Sequence, residues 1–208
     1  MSAPRVVSVD TTRGAARLHV DGAGGGVRLV LGHGAGGGVD APDLLAARDA
    51  GVHLGLEVVR VEQPWRVQGR RVAEAPLHLD TAWLDALATL PALPCVLGGR
   101  SSGARVACRT ADRVPGVRAV LCLAFPLVPY GRGASRAAEL TLPGVPRLVV
   151  QGARDAFGIP SPGPRLEVEV VAGADHSFGV RRRDGRTAAE VHRQVRAVVS
   201  SWLRQTLT

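Results

Sequence analysis

One short stretch, "PCVLGGRSSGARVA", constrains the fold of this chain more than any other. An apolar run leads into Gly99-Arg100-Ser101-Ser102-Gly103, and a helical pattern begins near Ser102. This is the pattern G-x-S-x-G between a strand and a helix, where a sharp turn holds the serine in a strained backbone conformation. Neighbouring backbone comes so close to such a turn that the positions two before and two after the serine must be nearly free of side chains. Gly99 and Gly103 meet that requirement, so the sequence predicts a strand–turn–helix unit with Ser101 at the turn.

Apolar runs that favour β-strands alternate with helical patterns along much of the chain. The runs predicted as strands in the main part of the chain are "LEVVRV", "PCVLGG", "VRAVLCLAF", "PRLVVQG" and "LEVEVV". Two of them, "VRAVLCLAF" and "PRLVVQG", lack the polar alternation of a half-exposed strand, so we expect them to be buried on both faces. Strands and helices in this order predict an α/β fold with a doubly wound, mostly parallel sheet flanked by helices.

Three helices have recognisable starts or apolar faces. Asp40 is placed to cap a helix with Pro42 in its first turn, and Thr187 is placed to cap the last helix. Helical spacing relates Trp83, Leu84, Leu87 and Leu90 in one segment and Val191, Val195, Val198, Trp202 and Leu203 in the last. We expect the last set to form an apolar stripe against the sheet.

Two short β-rich runs, Arg17–Val20 and Val27–Leu31, precede these elements and are joined by "DGAGGG". The glycines are typical of a flexible connection, so we expect an antiparallel first hairpin. No linker or low-complexity segment interrupts the chain, and its 208 residues fit one domain over residues 1–208.

A second glycine cluster, "LGHGAGGG", has two interpretations. Gly32, Gly34 and Gly37 match G-x-G-x-x-G, which would cradle a dinucleotide pyrophosphate, with Glu62 as a possible ribose ligand. That pattern would indicate an oxidoreductase. The segment His33-Gly34-Ala35 would instead offer backbone N–H groups to a developing oxyanion. The cluster alone does not decide between them.

Composition argues against several classes of partner. The net charge is +8, but all 26 basic residues are scattered arginines and aromatic residues are only 3% of the chain, unlike the basic and aromatic surfaces that bind nucleic acids. No apolar run is long enough to span a bilayer or to form a signal peptide. Three cysteines, Cys95, Cys108 and Cys122, form no C-x-x-C pair. We therefore expect a cytoplasmic protein with buried free thiols and neither nucleic-acid nor membrane partners.

A serine hydroxyl needs a base to take its proton and an acid to orient that base. Asp155 follows the predicted strand "LVVQG", and His176 follows the next strand in "VVAGADHSF". Asp175 is a rival for the acid, but adjacent side chains rarely face each other productively, and Asp175 is on the base's own loop. We therefore favour Asp155.

Taken together, "LGHGAGGG", "GGRSSGARVA", "VQGARDAFG" and "GADHSF" resemble the α/β-hydrolase superfamily over nearly the whole chain. "LAFPLVPYG" followed by "LVVQGARDAFG" is similar to a small, lid-poor branch related to dienelactone hydrolases, which also includes a testis-expressed protein and a histone acetyltransferase complex subunit. The resemblance implies that Ser101 is the nucleophile, His176 the general base and Asp155 its orienting acid. It also implies that Ala35 and Ser102 supply the oxyanion-hole N–H groups. Arg100 and Ser102 depart from the residues common in the family's elbow, which bears on the shape of the pocket.

These inferences favour a serine hydrolase acting on a small-molecule ester, without a cofactor or a metal. Only about twenty residues separate Phe125 from Pro146, so we expect a minimal lid. A non-catalytic interaction module that kept the fold is the alternative. We expect His33 to be a structural residue of the glycine loop and Arg181–Arg183 to be a solvated charge run. The oligomeric state is left open.

Overall fold

The computed structural model describes residues 5–22, 24–129 and 133–208 and is organised around one eight-stranded sheet. Its strands are β1 (Arg5–Thr11), β2 (Gly14–Asp21), β3 (Arg28–Gly32), β4 (Glu57–Glu62), β5 (Cys95–Arg100), β6 (Val117–Leu123), β7 (Arg147–Gly152) and β8 (Leu166–Val171). Its helices are α1 (Pro42–His53), α2 (Pro64–Val67), α3 (Pro76–Ala88), α4 (Ser102–Thr110), α5 (Ala137–Thr141) and α6 (Ala188–Leu207). Two short 3-10 turns cover Ala111–Arg113 and Arg182–Asp184.

The strand order across the sheet is β1-β2-β4-β3-β5-β6-β7-β8. Strands β3 to β8 run parallel to one another, whereas β2 pairs antiparallel with both β1 and β4. The predicted doubly wound, mostly parallel α/β sheet is therefore confirmed. The strands β4 and β5 lie on opposite sides of β3. The strand order therefore reverses at β3, and in such sheets ligands bind at the carboxyl ends of the strands beside this point.

The first hairpin is antiparallel, but the predicted pairing of Arg17–Val20 with Val27–Leu31 is wrong. Strand β2 pairs with β1 on one side and β4 on the other, while β3 lies between β4 and β5. Every residue of β3 is buried, which suits an unalternated apolar strand at the centre of a sheet. The glycine-rich connection carries the chain from β2 past β4 to that central position, and Gly24 and Gly26 take positive φ angles of 77° and 78° along it.

Helix starts follow the predictions in one case and depart from them in another. Thr187 caps α6 in a reciprocal capping box with Glu190. The N-cap residue of α1 is Ala41 and makes no side-chain cap, so the predicted cap at Asp40 is wrong. The reason is electrostatic, since the Asp40 carboxylate forms an ion pair with the buried Arg60 guanidinium at 2.6 Å.

Two apolar cores cover the two faces of the sheet. One lies under α1 and α6, where Val191, Val195, Trp202 and Leu203 are buried as predicted. Val199 is also fully buried there, while the predicted Val198 only packs at the edge of the core. The other core lies under α3 and α4 and contains both fully buried tryptophans, Trp65 and Trp83. Among the described residues, no helix is both long and apolar enough to cross a membrane.

Candidate active site

The turn between β5 and α4 places Ser101 at the carboxyl edge of the sheet. Ser101 has φ 53° and ψ −113°, a conformation that costs a non-glycine residue on the order of 1–3 kcal/mol. Its backbone N–H donates to the Leu123 carbonyl at 2.9 Å, which holds the turn against β6. A Cβ at Gly99 would lie 2.5 Å from the Gly32 carbonyl oxygen, and one at Gly103 would lie 2.8 Å from the His33 carbonyl oxygen. Both glycines are therefore required by close backbone contacts, as the motif predicts.

Two loops bring an imidazole and a carboxylate to this serine. His176, in the loop after β8, lies with Nε2 3.1 Å from Ser101 Oγ and Nδ1 2.8 Å from Asp155 Oδ2. Asp155 follows β7, and its side chain is fully buried, whereas the His176 side chain is 21% exposed. The Phe157 ring packs on the imidazole with 4.4 Å between ring centroids. The structure thus places Ser101, His176 and Asp155 in one hydrogen-bonded chain.

A buried amide holds the carboxylate from the other side. Gln151 Nε2 lies 2.7 Å from Asp155 Oδ2, and the Phe157 backbone N–H donates to Asp155 Oδ1 at 2.9 Å. Gln151 is completely buried and also contacts the carbonyl oxygens of Phe125 and Gly158. Gln151 is not among the site residues that the sequence predicts. Its signal was available, because a glutamine inside the apolar strand "LVVQG" must find buried partners.

The rival acid has a different role in the structure. Asp175 Oδ1 accepts hydrogen bonds from the backbone N–H groups of Ser177 and Gly179, both at 2.9 Å. The Asp175 backbone also bonds with Gly179 and Phe178, so this residue closes the tight loop that carries the imidazole. The carboxylate that contacts the His176 side chain is that of Asp155.

The second glycine cluster lies directly against the serine turn. A Cβ at Gly32 would lie 3.2 Å from Gly103 Cα, and one at Gly34 would lie 3.3 Å from Ser101 Cβ. Within the described parts of the chain, the backbone N–H groups of Ala35 and Ser102 donate to no protein acceptor. Ser102 is the first residue of α4, where the helix dipole favours negative charge. These two amides are therefore available to an anionic oxygen formed at the serine.

His33 stabilises this loop from within. It is buried, its Nε2 accepts from the Gln63 backbone N–H at 3.1 Å, and its Nδ1 consequently carries the proton donated to the Gly34 carbonyl at 2.9 Å. Burial lowers the pKa of His33, so the ring is held neutral. This matches the structural role expected for it.

A cavity of about 520 Å³ lies beside the glycine loop and is lined by Gly36–Gly38, Arg66, Arg100 and Ser177. It is next to the serine turn, but Ser101 and His176 do not line it. On the other side, α5 has only five residues, and the part of the expected lid at positions 130–132 lies outside the described residues. Arg181–Arg183 are exposed beyond the histidine loop, as expected for a solvated run.

Comparison with known proteins gives a family and a set of similar folds. A family model described as an alpha/beta hydrolase domain matches residues 25–204. An alpha-beta serine hydrolase homologue from Coxiella burnetii superposes with TM-score 0.75 at 19% identity, covering 98% of this chain and 99% of that one. An a/b serine hydrolase without lid from Xanthomonas campestris gives 0.73 at 18% identity, with 97% and 96% covered. The esterase domain of a Rhodothermus marinus protein gives 0.69 at 17% identity, with 99% and 100% covered. At these identities the structural likeness shows the fold alone. The comparison with curated proteins found no match.

Proposed function

Because this chain belongs to the alpha/beta hydrolase family, we propose that it is a serine hydrolase that cleaves a small ester or related acyl bond. In this proposal Ser101 is the nucleophile, His176 the general base and Asp155 the acid that orients the base. The observation that supports it is the chain of hydrogen bonds from Ser101 Oγ through the imidazole to a buried carboxylate, at 3.1 and 2.8 Å. Such a chain on a strained turn is the arrangement that activates a serine for acyl transfer.

The proposed reaction has two halves. Ser101 Oγ attacks the carbonyl carbon while its proton passes to His176 Nε2, and the carbonyl oxygen becomes an oxyanion facing the N–H groups of Ala35 and Ser102. When the C–O bond to the leaving alcohol breaks, Nε2–H protonates that alcohol and leaves an acyl-Ser101 ester. A water then attacks this ester, gives its proton to Nε2, and releases the acid as the proton returns to Oγ.

Asp155 contributes by fixing the base. Its Oδ2 accepts from His176 Nδ1, so the free lone pair of the neutral ring is on Nε2 and faces the serine. Gln151 and the Phe157 amide keep the carboxylate in place through the whole cycle.

The proposed substrate is small because little chain is present to cover a long one. Between Phe125 and Pro146 the described helix is the five-residue α5. An open cleft buries few methylenes of an acyl chain, and each buried CH₂ adds only about 0.8 kcal/mol of affinity. We therefore expect weak selectivity for long acyl chains.

The glycine loop supports acyl transfer over dinucleotide binding. Gly32 and Gly34 lie against Gly103 and Ser101, so the space that a pyrophosphate needs is taken by the serine turn. A protein that had become a non-catalytic module would have no need to retain the strained serine, the base and the buried acid together.

The experiment is a pre-steady-state assay with p-nitrophenyl acetate. We expect a burst of nitrophenolate of about one equivalent per chain, followed by slower turnover, because the acyl-enzyme forms before it is hydrolysed. Ser101→Ala should abolish both phases. Ser102→Ala is the matched control, since it keeps the backbone N–H and should retain both. Unchanged turnover in Ser101→Ala would exclude this mechanism, and saturable NAD binding would revive the oxidoreductase hypothesis.

A further inference from the structure

Arg100, the residue immediately before the serine, is a buried cation that contacts two separate segments around the site. Its side chain is only 9% exposed. Nε forms an ion pair with Asp43 Oδ2 at 2.8 Å, and Nη2 donates to the His176 carbonyl oxygen at 3.1 Å and to Ser177 Oγ at 2.9 Å. One guanidinium therefore connects the start of α1 with the loop that carries the imidazole.

The glycine loop is adjusted to the same guanidinium. A Cβ on Gly34 would lie 3.0 Å from Arg100 Nη1, so a side chain there would displace the guanidinium by a few tenths of an ångström. Asp43 is in the first turn of α1, the helix that this loop enters, and is itself buried. Burial raises the pKa of Asp43, and the charge of Arg100 opposes that rise. The positive charge of Arg100 therefore favours the ionised form of the buried Asp43 carboxylate.

Burying a charged pair is expensive, and a well-packed apolar pair of similar volume often gives equal or greater stability. The position of Arg100 is better explained by geometry than by stability. A planar guanidinium presents its donors in a fixed fork, which a lysine ammonium on a flexible stem does not. In this fork Nε contacts α1 and Nη2 contacts the loop that carries His176.

We propose that Arg100 is a positioning residue for His176 and for the glycine loop, a role that rests on the proposed function. It touches the backbone of the base and not the reacting atoms. If the histidine peptide is released, the imidazole shifts relative to Ser101 Oγ, and a misplacement of about 1 Å costs on the order of 100-fold in rate.

The test removes the pair without leaving a buried charge. In the double variant Arg100→Met/Asp43→Leu both partners become apolar, and we expect kcat for p-nitrophenyl acetate to fall about 100-fold with KM changed less than threefold. The matched control is Arg109→Met/Asp80→Leu, which removes another largely buried ion pair, between α4 and α3, with contacts of 2.6 and 2.8 Å. That control should retain kcat, because its pair does not contact the histidine loop.

A second variant keeps the proposal testable if the double variant does not fold. Arg100→Lys retains a cation for Asp43 but has one nitrogen in place of Nε and Nη2, so it cannot contact Asp43 and the histidine loop at the distances that arginine does, and kcat should still fall at least tenfold. Folded variants with wild-type kcat, or with a raised KM alone, would overturn the positioning role. Failure of the wild-type protein to form an acyl-enzyme would instead overturn the proposed function, so the two failures are distinct.

Discussion

Replacing Asp155 by asparagine changes one atom and reverses a hydrogen bond at the centre of the site. Asp155 Oδ1 faces the Phe157 backbone N–H, and Oδ2 faces the donors His176 Nδ1 and Gln151 Nε2. An asparagine NH₂ at the Oδ1 position would face the Phe157 backbone N–H, which is also a donor. At the Oδ2 position it would face the Gln151 amide donor and would require a lone pair on His176 Nδ1, so the ring proton would move to Nε2. In that tautomer the ring cannot accept the Ser101 proton.

The expected loss follows from this tautomer. In Ser-His-Asp enzymes the same change lowers kcat by about 10⁴-fold, which corresponds to about 5 kcal/mol in the activation barrier. The fold should survive, since the mismatch of one buried hydrogen bond costs about 1–3 kcal/mol. Initial rates with p-nitrophenyl acetate, together with a urea unfolding curve, separate the two effects.

Asp175→Asn is the matched control. Both hydrogen bonds that the Asp175 side chain accepts go to Oδ1, from Ser177 N and Gly179 N, and an asparagine carbonyl oxygen can accept both. Its kcat should stay within about threefold of wild type, because an unchanged loop leaves the imidazole in place. If Asp155→Asn keeps near-normal rates while Asp175→Asn loses them, the assignment of the acid is wrong.

Three further predictions concern stability, folding and substrate size. Because burial lowers the pKa of His33, the native state resists protonation, and stability should fall by up to about 1.4 kcal/mol per pH unit as pH drops below about 6.5. Urea titrations should show a shallower fall in His33→Asn. Gly103→Ala, which forces a Cβ into the backbone of Gly32, should lower the free energy of unfolding by about 1–3 kcal/mol or more and abolish esterase activity. Acetate and butyrate nitrophenyl esters should give higher kcat/KM than palmitate, and a steady rise toward palmitate would indicate a groove that we have not identified.

Local patterns predicted the serine turn and much of the sheet. The pattern G-x-S-x-G is local, so the need for glycine at Gly99 and Gly103 could be predicted without the structure, although the backbone that they approach, at Gly32 and His33, is distant in sequence. The superfamily resemblance is confirmed by the family model, while the branch related to dienelactone hydrolases stays a prediction. The pairing of the first strands was wrong because sequence proximity does not determine which strand fills the centre of a sheet.

Side-chain contacts that depend on the tertiary fold could not be predicted. Gln151 supports Asp155 only because the chain turns back after β7, and Arg100 meets His176 across 76 positions of sequence. Asp40 has the ordinary chemistry of an N-cap, yet the buried Arg60 takes its carboxylate. In each case the polar residue was visible in the sequence, but its partner was set by tertiary structure.

Active-site labelling with a fluorophosphonate tests whether Ser101 is an activated nucleophile. Intact-mass analysis of the wild-type protein should show a single adduct per chain, and peptide mapping should locate it at Ser101, because this hydroxyl has the base and the two free amides around it. The adduct should disappear in Ser101→Ala and persist in Ser102→Ala. An adduct that survives Ser101→Ala, or a wild-type protein that stays unlabelled, would show that Ser101 is not the activated nucleophile.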